Sequence, residues 1–354
     1  MGVRMLSPSK GKRENQVDIL RGIALFCMIA ANMVPCLLIT PHPIVERLIG
    51  SLAAPLFIIL AGMMASLSRH KPTHRFKHFL VRGSLLILIG CILDALVYQS
   101  YPLTSMDVLY LIGLSLIISY PLLYMETWHR VGLVLLIFLI TPILQKFYGY
   151  PETPSADDLT MSWYNLSEIV KATTRSWLIE GYFPLFPWFG YFLVGTVISN
   201  LRWTPQTTHY FNNRHFLLFS ACLLAGGIIV WILNPGPLYT RFGYTELFYP
   251  ATWGFIATSL GIIFTLFYLI DRYPHQLFYW PLLIYGKSSL FIYIMHSVLI
   301  AYILERLFPP QPLSVYLGLY IALCSILLSL AWLLDKYRPR LRNTPFLVRF
   351  VLGA

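Results

Sequence analysis

The chain has 354 residues, of which 57% are hydrophobic and only 12% are charged, and its formal net charge is +11. Soluble globular proteins are about 25% charged, so this composition excludes a water-soluble domain, and so much apolar surface also excludes a disordered chain. Positive charge of this size is typical of the loops of a membrane protein, and we expect no nucleic-acid partner.

Apolar runs long enough to cross a bilayer recur along the whole chain. A transmembrane helix needs about 20 apolar residues, and turn residues and charges separate the runs. Ten spans are predicted, near residues 17–39, 51–67, 84–99, 107–124, 131–147, 183–200, 216–234, 247–270, 283–303 and 314–334. The predicted fold class is an all-α, polytopic membrane helix bundle.

The distribution of Lys and Arg predicts the orientation of the bundle. With the N-terminus inside, the inner segments hold nineteen of these residues and the outer segments six, which follows the positive-inside rule. Both termini are therefore expected in the cytoplasm. The predicted parts are a cytoplasmic N-tail at 1–16, a transmembrane domain at 17–335 and a cytoplasmic C-tail at 336–354.

Polar residues in the first span are candidates for function because ionisable groups in a bilayer are costly. Asp18 and Arg21 stand three residues apart, so they can pair on one helix face. The pair is either a neutralised anchor or a site where Arg21 contacts an anionic ligand. Asn32 follows on nearly the same face, where it serves either as a contact between helices or in the site.

A histidine between two prolines follows the first span, in the segment Thr40-Pro41-His42-Pro43. The flanking prolines restrict the backbone of His42, and its ordinary pKa suits it to accept a proton at neutral pH. Glu46 is expected to orient the ring. The alternative is a solvated loop side chain.

The ninth predicted span carries a polar stripe. Ser289, Tyr293 and His296 share one helix face, which indicates either a cavity wall or a core histidine bonded to a neighbouring helix. Asp94 and Asp107, at the outer ends of the third and fourth spans, are expected at the membrane interface.

Two connections differ from ordinary short loops. Residues 148–182 form a long outer loop, which is either a structured feature that binds an acceptor or a solvated connector. The loop from residue 69 to 78 is densely cationic and includes Arg75, with Arg82 just beyond. Its histidines are spaced for a metal, but Pro72 and the like charges argue against one, so no metal site is expected. The cations keep the loop on the cytoplasmic side, bind the phosphates of a nucleotide donor, or do both.

Several patches, taken together and in order, resemble the heparan-α-glucosaminide N-acetyltransferases. They are Asp18-Ile19-Leu20-Arg21-Gly22 running to Asn32, Pro55-Leu56-Phe57 with Ala61-Gly62, and Phe183-Pro184-Leu185-Phe186-Pro187-Trp188-Phe189-Gly190. The resemblance covers most of residues 13–335. The ninth-span pattern that ends at His296 is also similar to the wider group of membrane acyltransferases.

The resemblance implies a membrane acetyltransferase that takes acetyl groups from cytosolic acetyl-CoA to an amine of an amino sugar on the far side of a lipid bilayer. Asn32 and His42 would be catalytic. Arg21, Arg75, Arg82 and Lys287 would contact the phosphates of acetyl-CoA, and His296 is counted with these donor-binding residues. The implied membrane is the plasma (inner) membrane of a prokaryote or a lysosomal-type membrane of a eukaryote.

Other interpretations stay open at this point. A glycan O-acyltransferase would use a hydroxyl acceptor, and a secondary transporter would use the buried polar groups as a relay. Transfer is either direct or through a transient acetyl-histidine. The sequence is compatible with a monomer and with a homo-oligomer.

Overall fold

Helices make up nearly all of the structure. A computed structural model describes residues 14–71, 73–156, 166–204, 211, 213–241, 243, 246–274 and 276–353. Most of the predicted N-tail (1–13), Pro72 and part of the outer loop (157–165) lie outside the described residues. Within the described part, β-structure is limited to isolated bridging residues such as Leu38 and Gln311.

The described residues form fourteen α-helices of seven or more residues. They are α1 (Asn15–Leu37), α2 (Ile44–Ser51), α3 (Ala53–Arg69), α4 (Phe76–Leu93), α5 (Val108–Leu122), α6 (Thr127–Tyr148), α7 (Leu166–Arg175), α8 (Leu185–Trp203), α9 (Arg214–Leu233), α10 (Trp253–Arg272), α11 (Trp280–Lys287), α12 (Ser289–Leu299), α13 (Leu313–Tyr337) and α14 (Phe346–Leu352). One-turn π-helical extensions continue α4 to Tyr98, α7 to Glu180 and α12 to Leu304.

The polytopic membrane bundle predicted from composition is confirmed. Among the described residues, eight helical segments are long and apolar enough to cross a membrane, and a bent pair formed by α7 and α8 would make a ninth. The 15-residue α5 is shorter but also apolar. Helices suit this environment because lipid offers no hydrogen-bond partner to an open backbone.

α1 is the central helix of the bundle. It packs against α2, α3, α11, α12 and α13, and side chains along its whole length, such as Ala24, Ile29 and Leu37, have no exposed surface. By contrast, α6 and α9 expose apolar side chains such as Leu139 and Ile232. These two helices therefore form part of the lipid-facing wall, and α1 connects the interior of one end of the bundle to the other.

The predicted start of the ninth span, at residue 283, is wrong. The helix breaks at Ser288, whose φ and ψ are −117° and 31°. The preceding α11 runs antiparallel to the first turns of α1, because Gly22 meets the backbone of Leu282 while Gly286 meets the backbone of Asp18. Glycine at both crossings lets the two backbones approach closely. The membrane-crossing segment therefore begins at Ser289 and ends at Leu307.

The outer loop is structured where it is described. Glu180, at the end of the α7 extension, is fully buried, and its carboxylate accepts from the backbone N–H (3.2 Å) and hydroxyl (2.6 Å) of Ser155 and pairs with Arg175. The buried Arg241 donates to the carbonyls of Pro151 (2.7 Å) and Gly181 (3.1 Å). These bonds hold the loop against the end of the bundle where α1 finishes.

Candidate active site

A cationic cavity lies at the end of the bundle where α1 begins, which we call the basic end. Its volume is about 330 Å³, and it is lined by Thr73, Arg75, Lys77, His78, Val81, Arg82 and Phe346. The first turns of α4 supply most of these residues, because this helix begins directly after the basic loop. Arginine and lysine around one cavity can form charge-assisted hydrogen bonds with an anion such as a phosphate.

The histidines of the basic loop form a stacked pair beside this cavity. The ring centroids of His74 and His78 are 3.7 Å apart, and Nδ1 of His74 lies 2.6 Å from the hydroxyl of Ser68. Burial and the nearby charge of Lys71 lower the pKa of His74, so this ring favours its neutral form at neutral pH. The positive charge of the cavity therefore comes from its arginines and lysine.

Two further predicted donor contacts form ion pairs at the same end. Nη1 of Arg21 lies 3.0 Å from Oδ1 of Asp18, which confirms the predicted pair within α1. Arg21 is close enough to Arg82 for their charges to interact. Nζ of Lys287 lies 3.1 Å from Oδ2 of Asp335. Both cations therefore have an acidic partner, Arg21 from its own helix and Lys287 from α13.

His42 lines a second cavity, at the opposite end of the bundle. This cavity of about 500 Å³ is lined by Pro35, Leu38, Ile39, Thr40, Pro41, His42, Arg47, Thr240, Gly243 and Pro310. Nε2 of His42 lies 3.2 Å from the carbonyl oxygen of Leu38. A carbonyl only accepts hydrogen bonds, so Nε2 carries the ring proton and Nδ1 keeps a lone pair. The ring can therefore accept a proton from a ligand in the cavity.

The prediction that Glu46 orients the ring of His42 is wrong. Both carboxylate oxygens of Glu46 are buried and have no hydrogen-bond partner among the described residues, so the carbonyl of Leu38 holds the ring instead. Glu46 stands in the first turn of the helix that begins at Ile44, where it lies near Tyr316 of α13 and near Glu246.

Glu246 is a buried carboxyl group in the connection between α9 and α10. Its Oε2 has no hydrogen-bond partner in the described structure. Burial raises the pKa of Glu246 to about 8, and the charge of Glu46 contributes in the same direction, while Arg47 opposes it. An isolated buried carboxylate is unfavourable, so Glu246 is protonated in the folded protein at neutral pH.

We expect the stability of the fold to decrease from about pH 4.5 to about pH 8 through Glu246. In this range the unfolded chain has lost the proton that the folded chain still binds, so rising pH favours unfolding. Thermal unfolding of the detergent-solubilised protein should show a steeper decrease in Tm with pH for the wild type than for Glu246→Gln. Parallel curves for the two proteins would contradict a protonated Glu246.

Asn32 and His296 form a direct contact between α1 and α12. Nδ2 of Asn32 lies 2.8 Å from Nε2 of His296. The imidazole is fully buried, whereas Asn32 keeps some accessible surface. The hypothesis of a core histidine bonded to a neighbouring helix is therefore confirmed. The neighbouring helix is α1, and the bonded residue is Asn32.

Further polar contacts around α12 were not predicted from the sequence. The hydroxyl of Tyr293 donates to Oδ2 of Asp107 at 2.7 Å, and the hydroxyls of Tyr98 and Ser297 lie 3.0 Å apart. Asp94 is 2% exposed and accepts from a tyrosine hydroxyl at 2.6 Å. The polar stripe on the ninth span was the signal that could have suggested partners of this kind.

Comparison with known families assigns most of the chain to one family. A family model described as heparan-alpha-glucosaminide N-acetyltransferase, catalytic, matches residues 13–235. The chain belongs to this family. It is therefore a member of a family of transmembrane acetyltransferases. No individual curated protein matches it.

The family match covers the two cavities unevenly. It includes α1 to α9, and with them Arg21, Asn32, His42, Arg75 and Arg82. The resemblance noted over residues 13–335 is thus supported for its first 223 positions, up to residue 235. The remaining helices, which carry Lys287 and His296, lie outside the match.

Proposed function

We propose that the protein transfers the acetyl group of acetyl-CoA to the amine of an amino sugar, with the two substrates entering from opposite ends of the bundle. The observation that carries this proposal is the arrangement along α1. Arg21 lies near the cationic cavity, Asn32 follows in the interior, and His42 lies in the cavity just beyond the helix end. The excess of inner Lys and Arg favours a cytoplasmic basic end.

Acetyl-CoA suits the basic end because its phosphates are its charged part. Arg75 and Arg82 share the cationic cavity, and Arg21 lies beside it. Asn32 is eleven residues beyond Arg21, which corresponds to about 16 Å along a helix. The pantetheine arm would cover this distance through the interior, so that the thioester reaches Asn32.

The proposed reaction is a direct acyl transfer. The amine nitrogen of the acceptor attacks the thioester carbonyl carbon, and Nδ1 of His42 removes the proton from that nitrogen. A side-chain N–H of Asn32 donates to the oxygen that becomes negative in the tetrahedral intermediate. The carbon–sulfur bond then breaks, and the CoA thiolate leaves and takes up a proton.

A single-turnover experiment tests this reaction. Purified protein in liposomes is mixed with acetyl-CoA labelled in the acetyl group, with and without glucosamine. We expect release of CoA only with glucosamine, a labelled N-acetyl product and unlabelled protein. Released CoA and labelled protein without an acceptor would establish an acetyl-histidine route instead.

The same preparation separates the other candidate functions. Acetylation of hydroxyl groups in N-acetylated sugars, with no reaction at a free amine, would identify an O-acyltransferase. Sugar flux that is independent of acetyl-CoA, without any acetylated product, would identify a transporter and contradict the proposed enzyme.

A further inference from the structure

The geometry points to His296 as a positioning residue that holds the amide of Asn32 in the orientation required for acetyl transfer. This inference rests on the proposed function, in which Asn32 contacts the thioester oxygen. It gives His296 a role different from the donor contact expected from the sequence, and it lies in the part of the chain beyond the family match.

The hydrogen bonds of the ring define its tautomer. Nδ1 of His296 lies 3.2 Å from the carbonyl oxygen of Ile292, one turn earlier in α12. Because a carbonyl only accepts, Nδ1 carries the proton of the neutral ring. Nε2 then has a lone pair and accepts the Nδ2–H of Asn32 at 2.8 Å.

This bond determines which way the amide of Asn32 points. One N–H is directed to His296, so the second N–H and Oδ1 are available to a ligand. Without the ring, the amide could rotate and present its oxygen where the donor N–H is required. An accepting oxygen would repel the developing oxyanion, whereas a donor stabilises it.

Burial indicates that His296 acts through Asn32. The imidazole has no exposed surface, and its edge also contacts the ring of Tyr293, with centroids 5.5 Å apart. Asn32 keeps accessible surface. Of the two residues, Asn32 is therefore the one that a ligand can contact.

α12 is itself fixed on both sides of His296. The hydroxyl of Tyr293 bonds to Asp107, and that of Ser297 to Tyr98. These bonds connect α12 to the start of α5 and to the end of α4. Supporting bonds of this kind keep a site residue within the small positional tolerance that catalysis requires.

Kinetics of His296→Phe and His296→Gln test the inference. Phenylalanine keeps a ring but removes the acceptor, and we expect kcat to decrease about 100-fold, in the range found for a lost oxyanion donor. The KM for acetyl-CoA should stay within about threefold, since donor affinity depends on the cationic cavity. Glutamine offers an acceptor oxygen to Asn32 and should restore most of the activity.

A double-mutant cycle with Asn32→Ala separates positioning from general damage to the fold. If His296 acts only through Asn32, adding His296→Phe to Asn32→Ala should cause no further loss. Asn32→Asp keeps the side-chain size but places an acceptor against Nε2, and it should reproduce the loss without opening a cavity. Ser259→Ala is the matched control, because it removes a buried bond to Tyr191 (2.7 Å) elsewhere in the bundle and should leave kcat unchanged.

Two kinds of result would overturn the inference, and they are distinguishable. The positioning role alone would be excluded if the wild type is active and His296→Phe has a rate within twofold of it. It would also be excluded if the losses of the two single variants multiply in the double mutant. No wild-type transfer, or full activity of Asn32→Ala, would overturn the proposed role of Asn32 and the inference together.

Discussion

Replacing His42 by alanine is expected to reduce acetyl transfer to glucosamine by at least about 1,000-fold, within the range for loss of a general base. His42 lines the cavity at the end opposite the cationic one, and its Nε2 bond to Leu38 leaves Nδ1 free to take the proton of the acceptor. The affinity for acetyl-CoA should not change, because the donor phosphates bind at the basic end. Initial rates and calorimetric titration with acetyl-CoA measure the two effects.

The matched control for this prediction is His215→Ala. His215 is exposed on the first turn of α9 and lines neither of the two cavities described, so its loss should leave the rate within twofold of the wild type. A His42→Ala rate within a few-fold of the wild type would exclude this residue as the base.

Removing two cations from the basic cavity is expected to weaken the binding of acetyl-CoA about 100-fold. Arg75 and Arg82 are exposed residues around the same cavity, so solvent screens each contact, and we assign about tenfold to each charge-assisted bond. The Kd of the Arg75→Ala/Arg82→Ala protein measures this effect. Wild-type affinity should also decrease with ionic strength, and the dependence should be shallower in the double variant.

Two controls connect this loss to phosphate recognition. Arg214→Ala removes an exposed cation at the start of α9, outside the cationic cavity, and should leave the Kd unchanged. Acetylpantetheine, a donor without the nucleotide phosphates, should react equally with the wild type and the double variant. An unchanged Kd for acetyl-CoA in the double variant would contradict the assignment of the cavity to the donor.

The helices were predictable because the bilayer imposes a simple rule on the sequence. Each crossing requires a long apolar run, and the ten predicted positions correspond to α-helices in the structure. The break at Ser288 was not predictable in the same way. Residues on both sides of it are mostly apolar, and α11 turns back along α1 because glycines at positions 22 and 286 permit close contact.

The interior of the site shows where sequence reasoning stops. The polar faces of α1 and α12 could be recognised from the positions of Asn32 and His296, but these residues are 264 positions apart. The periodicity of the sequence predicts which face of a helix is polar, but it does not predict which other helix packs against that face. For the same reason, the sequence did not predict the bond between Asp107 and Tyr293.

The lining of the two cavities could not be predicted from the sequence either, because each cavity combines residues from distant parts of the chain. The basic loop predicted the cations at the start of α4, but Phe346 comes from the C-terminal helix α14. The His42 cavity also includes Thr240 and Pro310, which belong to two distant connections. Glu46 was a reasonable partner for His42 by spacing alone, yet the helix that begins at Ile44 directs it elsewhere.

In the proposed function, an acetyl group passes through the bundle from the cationic cavity to the His42 cavity. The most direct test of this passage uses liposomes that contain the protein, with acetyl-CoA outside and glucosamine trapped inside. Only molecules whose basic end faces outward can then bind the donor. N-acetylglucosamine should accumulate inside while CoA stays outside. Product that forms only when both substrates are on the same side of the membrane would contradict the account.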